Sequence, residues 1–193
     1  MTEPTLQSHP CPQLTKTVAH LAARWASSDT SVLKRIFPLL AEGRPISSNQ
    51  VSEMSGLPLS VIEQALDDPK IGRDKSGRAI ELFGFTLQPT LHQISIDRVQ
   101  MFSCCALVAH TIPLLIQRSV AIESVDPIDR SMIRLEIEPG GIRNVDPSEV
   151  VATMIRTSAR GIGANVSEGL CSHIHHFANP VKTRVLFAFH RAR

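Results

Sequence analysis

The sequence predicts an α+β fold: a helical, winged-helix-like N-terminal domain over residues 1–80, then a mixed β-sheet domain over 81–193 with a central cysteine-bearing helix. Three observations carry this. Apolar residues recur at helical spacing through the first third of the chain. They alternate at strand spacing in "SMIRLEIEP" (131–139), where Ile133, Leu135 and Ile137 share one face. Between the two regions, "CCALVAHTIPLLIQ" (104–117) is apolar and long enough for a buried helix.

Residues 1–11 form a polar lead. In "TKTVAHLAARWA" (15–26), Val18, Leu21, Ala22 and Trp25 mark a first helix, and "SVLKRIFPLLAEG" (31–43) marks a second that Gly43 ends. Pro38 falls inside that second pattern and should kink it or displace one hydrogen bond. "PISSNQVSEMSGLPLSVIEQALDD" (45–68) reads as helix-turn-helix, with Ser47 or Ser48 as cap, Gly56 as turn and Ser60 opening the second helix. "RDKSG" then turns the chain into strands within "GRAIELFGFTL" (77–87), completing the winged-helix pattern. Further on, "HQISIDRVQMF" (92–102) alternates around Asp97-Arg98 as a hairpin, and Pro113 should kink or shorten the cysteine-bearing helix. "EVVATMIRT" (149–157) and "GLCSHIHHF" (169–177) read as two more strands, separated by the loop "SARGIGANVSEG".

Composition removes several function classes. A formal net charge of +2 gives no strong general attraction to nucleic acid. The helix that would enter a DNA groove carries Glu63, Asp67 and Asp68, with no basic residue before Lys70. No apolar run is long enough to span a bilayer, and the first residues lack a basic-then-apolar signal pattern, so the expected location is the cytoplasm. Cys11, Cys104, Cys105 and Cys171 do not make a secreted disulfide framework and should be thiols there.

Two readings stay open for these thiols. Cys104 and Cys105 fall where a strand gives way to the helix; its positive N-terminal end favours thiolate, although buried cysteines also serve as core filler. Cys171, His173 and His175 would share one face of a strand and could ligate zinc, but no fourth ligand accompanies them.

"EGRPISSNQVSEMSGLPLSVIEQALDD", "GFTLQPTLHQISIDRVQMFSCCALVAHTIPLLIQR" and "GLCSHIHHFA" together resemble the organomercurial (alkylmercury) lyases of bacterial mercury resistance, from about Ser31 to Ala178. The resemblance implies protonolysis of a carbon–mercury bond by two cysteines and an aspartate, giving a hydrocarbon and Hg(II). Cys105 matches the first cysteine, in a Cys-Ala-Leu-Asp motif, and Cys171 matches the second. Both would bind the mercury of substrate and product, as its softness favours sulfur. The histidines beside Cys171 would pack or orient. The motif's aspartate is matched by Val108, which carries no proton, leaving Cys104 or His110 as candidate donors and implying slow turnover.

Other departures are Cys104 in place of a usual tryptophan, Asp126 at about the position of a further cysteine, and the basic, patternless end "NPVKTRVLFAFHRAR", where the family continues for longer. The C-terminus is therefore expected to be shortened or divergent. No organic cofactor is implied; low-molecular-weight cytosolic thiols or a mercuric reductase would accept the product, and neither nucleic acid nor membrane is an expected partner. Two rival readings are a catalytically weak homologue that holds Hg(II) or another soft metal, favoured by Val108, and a helix-turn-helix regulator, disfavoured by the acidic helix.

Overall fold

A computed structural model describes residues 30–68, 71–153 and 171–181. The helix expected over 15–26, the loop 158–169 and most of the basic C-terminal stretch lie outside them. Three helices come first: α1 (Thr30–Leu40), α2 (Ser48–Ser55) and α3 (Leu59–Leu66). Pro38 lies inside α1 without stopping it. Ser47 caps α2 in a reciprocal box with Gln50, and Gly56 ends it at φ 70°, a left-handed conformation that glycine adopts without strain. Pro58, rather than Ser60, opens α3. Ile36, Leu40, Val51, Ile62 and Leu66 are buried between these helices and the sheet.

Eight strands follow in one sheet: β1 (Ile71–Arg73), β2 (Ala79–Leu82), β3 (Phe85–Thr86), β4 (His92–Ile96), β5 (Val99–Ser103), β6 (Val120–Val125), β7 (Met132–Glu138) and β8 (Gly141–Asp146). Their spatial order is β1-β2-β3-β5-β4-β6-β7-β8. Every ladder is antiparallel, where a mixed sheet was expected. The reason is topological: hairpins join most neighbours, and the one helical crossover, α4 (Ala106–Ile116), links β5 to β6 with β4 lying between them.

The expected hairpin turns at Asp97 and Arg98, both at positive φ (44° and 78°), the two-residue turn whose twist suits paired strands. Strand β7 buries Ile133, Leu135 and Ile137 as its alternation predicts. Strand β8 has no such signal, because "GIRNVD" lies exposed at the sheet edge and buries no apolar row. Helix α4 packs on β4, β5, β6 and β7, and it continues past Pro113 to Ile116.

The expected strand at 169–177 is corrected in the structure. Cys171–His173 is a single 3-10 turn, and only His176–Phe177 (β10) is extended, paired with Val151–Ala152 (β9). Local polar bonds explain the break: Ile174 N–H closes the turn on the Cys171 carbonyl, and Thr153 Oγ1 donates to the His173 carbonyl while accepting from His175 N–H. The alternation of Cys171, His173 and His175 therefore does not put them on one strand face.

Asp126, fully buried after β6, ties this segment to the sheet. Its carboxylate accepts from Ile128 N–H at 2.9 Å and from Ala178 N–H, just beyond β10, at 2.9 Å. Asp126→Ala should lower unfolding stability by about 1–3 kcal/mol for each N–H left buried without a partner. Denaturant titration measures it, and a change within a few tenths would remove Asp126 as a structural tie.

Candidate active site

The thiols assemble at the N-terminal end of α4. Cys104 follows β5 directly, and its N–H is held by the Gly84 carbonyl at 2.7 Å. Cys105 is the N-cap of α4, extended at φ −160° and ψ 166°. The first-turn N–H groups of a helix have no partner within it. Ala106 N–H finds one in the Ile174 carbonyl, at 3.1 Å, and this bond brings the Cys171 turn against the start of α4. The sulfurs of Cys104, Cys105 and Cys171 consequently lie within 4.8 Å of one another, the group with metal-ligating spacing among the described residues. Cys105 and Cys171 are buried; Cys104 is partly exposed, and all three are free thiols.

Their electrostatics separate them. Hydrogen bonds from Cys104 and then Cys171 hold the Cys105 thiol well below its ordinary range, and the Val108 N–H of the first helical turn adds to this against the cost of burial. Cys104 moves the other way, because it donates to Cys105 and to Cys171 and is buried with them. For Cys171 the bond from Cys104 favours the thiolate, but its own donation to Cys105, with burial, outweighs that and pushes the thiol up. Cys105 therefore ionises ahead of the two thiols that donate to it.

Val108 is buried on the first turn of α4. A side-chain carbon at Gly84 would collide with the Cys104 sulfur and sit 3.4 Å from Val108 Cγ2, so the sulfur and the valine line the same spot. Gly84, at φ 83°, leaves that room. The place where the sequence lacks an acid is thus beside a thiol.

Behind the thiols runs a polar row that the sequence did not reveal. The register sets His92 opposite both Ser103 and Ser124, all three buried. His92 Nδ1 and His176 Nδ1 each hydrogen-bond Ser124 Oγ, at 2.9 and 2.8 Å, and His176 Nε2 bonds His110 Nε2 at 2.8 Å. With one hydroxyl proton, Ser124 can donate to only one of the two rings and accepts from at least one of them. Burial drives His92 down to about 4 and His176 down to about 2, and lowers His110 as well, so all three rings are neutral near pH 7. The one available signal was His92, a polar residue in phase with Ile94 and Ile96 on a strand's apolar face. His110, a candidate donor from sequence, is engaged with His176 instead of standing free. His175 stacks on His92 at 5.8 Å and its Nε2 bonds the Ser172 carbonyl, so the zinc set is not gathered.

Three free thiols within 4.8 Å of one another, two of them buried, define a protein of soft-metal thiol chemistry. Sequence comparison narrows the class. The family model for alkylmercury lyase matches residues 85–185. The alkylmercury lyase of Staphylococcus epidermidis is 30% identical over 150 residues, 77% of this chain and 68% of that one. That of Streptomyces lividans is 28% identical over 156 residues, covering 80% and 71%. In fold, the mercury-bound form of MerB2 superposes with a TM-score of 0.71 at 17% identity, over 86% of this chain and 82% of that one. This chain belongs to the alkylmercury lyase family.

Two expectations follow from the electrostatics. The fast-reacting thiol should titrate below a free cysteine, and Cys104→Ala should move its midpoint up by removing the strongest donor. The pH profile of iodoacetamide alkylation, read by peptide mapping at Cys105, reports both; an unshifted midpoint would break the assignment. The buried histidines act on stability in a defined direction. Unfolded, they take up protons below about 6.5, whereas folded His92 resists to about 4. Their contribution is present above 6.5 and is lost as pH falls towards 4. Unfolding free energy should decline across that window, less steeply in His92→Gln; equal slopes would contradict it.

Proposed function

We propose that this chain cleaves the carbon–mercury bond of small organomercurials, giving a hydrocarbon and Hg(II). The observation that carries this reading is the convergence of Cys105 and Cys171, with a third thiol, within 4.8 Å. Cys105, the thiolate, displaces the anion on R–Hg–X and forms R–Hg–S. This removes the negative charge to which Cys104 and Cys171 donate, so both become more acidic. Cys171 sulfur then joins the metal. Two sulfurs raise electron density at mercury and weaken its bond to carbon, while Cys104 gives its proton to the departing carbon. The proton released by Cys171 restores Cys104. Net, one thiol proton ends on carbon, and Hg(II) is held by Cys105 and Cys171.

In this assignment Cys104 replaces the carboxyl group absent at Val108, and His110 supports the wall through His176. No organic cofactor enters. Small cytosolic thiols or a mercuric reductase would take the product, with the cytoplasm as the setting; among the described residues no helix is long and apolar enough to cross a membrane. The three helices with the β1–β2 hairpin are proposed as a winged-helix-like scaffold within residues 1–80, without a nucleic-acid role, because Glu63 and Asp67 are exposed on and just after α3. Val108 supports one second reading, a weak homologue that retains Hg(II) with little turnover.

Incubation with phenylmercury and excess thiol, with benzene measured in the headspace, separates these readings. Cys105→Ser and Cys171→Ser should each abolish benzene release. Cys104→Ala should slow single-turnover cleavage by about 10²-fold or more, the scale of general acid catalysis, and Val108→Asp in that background should recover at least about tenfold. Near-normal turnover in either serine variant would sink the two-thiol assignment. An unaffected Cys104→Ala would move the proton source elsewhere.

A further inference from the structure

Two sulfurs suffice for linear mercury, yet this site holds three. Cys104, Cys105 and Cys171 come from the end of β5, the cap of α4 and the 3-10 turn, and their sulfurs form a triangle with no side above 4.8 Å. The triangle is fixed from three directions: Cys104 N–H on the Gly84 carbonyl, the α4 cap, and Ala106 N–H on the Ile174 carbonyl. Linear ligation leaves the third sulfur off the metal, whereas a pyramidal centre binds all three. Trivalent arsenic and antimony are soft, take three thiolates at the base of a pyramid, and carry a lone pair opposite them. Arsenous acid is small and neutral, so the buried setting raises no charge-transfer penalty on entry.

We propose that the three thiols form a binding site for trivalent inorganic arsenic or antimony, held as a tris-thiolate by Cys104, Cys105 and Cys171. The ligand exchange balances without redox change. Three As–OH bonds are replaced by three As–S bonds, three waters leave, and solvent supplies the one proton that Cys105 has already lost. Arsenic remains trivalent throughout. The inference uses the thiols of the proposed lyase site but does not require carbon–mercury cleavage.

The test uses the full, reduced protein and arsenite alone as probe. After desalting in the presence of glutathione, arsenic per chain is measured by mass spectrometry, remaining thiols are counted with a disulfide reagent, and arsenic-edge X-ray absorption gives the coordination. One arsenic per chain, three sulfurs around it and three fewer reactive thiols are expected. Cys104→Ser and Cys104→Ala should each lose arsenic at least about tenfold faster, since the third bond forms within an already tethered complex. Mercury retained after phenylmercury treatment, which needs Cys105 and Cys171, should persist in both variants, and an unchanged thermal unfolding transition shows that they are folded. Arsenic bound by two sulfurs in the wild type, or held equally by the Cys104 variants, would overturn the proposal. Failure to hold arsenite while benzene is still released from phenylmercury would sink this inference alone, whereas no benzene release and no mercury retained would count against the lyase reading.

Discussion

The site depends on one hydrogen bond, from Ala106 N–H at the start of α4 to the carbonyl of Ile174. A helix start offers unpaired donors, and Ile174, whose N–H closes the 3-10 turn, offers its carbonyl as acceptor. Joining them satisfies both and carries Cys171 across 66 residues of sequence to Cys105. Asp126 reinforces the join from the other side by holding Ala178. Neither contact involves a thiol. The chemistry is placed by backbone polar groups that had to be satisfied in any case.

Once gathered, the thiols define one another. A carboxylate at position 108 would have carried a negative charge to the helix start; Val108 carries none, and the acceptor that the other two thiols share is Cys105. Cys104 and Cys171 donate to it, which makes Cys105 the most acidic of the three. The neutral histidine–serine row behind them is consistent with this economy of charge, because burial keeps His92 and His176 unprotonated. An uncompensated thiolate in such surroundings is a strong ligand for a soft cation.

Gly84 shows how closely the cluster is fitted. It turns the chain between β2 and β3, accepts the Cys104 N–H, and leaves the space that the Cys104 sulfur occupies. That sulfur and Val108 then share a wall, so the absence of one acidic group and the presence of one extra thiol are features of the same few ångströms.

The sequence by itself determined the α+β class, the short helix capped at Ser47 or Ser48, the Asp97-Arg98 hairpin, the alternation of β7 and the two cysteines that match the family, because each is written in local periodicity, turn chemistry or contiguous motif. It could not give strand β8, which buries no apolar row, or the antiparallel sheet order, which is set by how a crossover helix skips one strand. It read 169–177 as one strand, because Thr153 and the helix start compete for backbone groups that pairing alone would have claimed. Only the tertiary structure decided that Cys104 joins Cys105 and Cys171, that His92 meets Ser124 and His176, and to which sulfur the other two donate. Those facts rest on cross-strand register and on hydrogen bonds between residues far apart in sequence, and no local pattern encodes either.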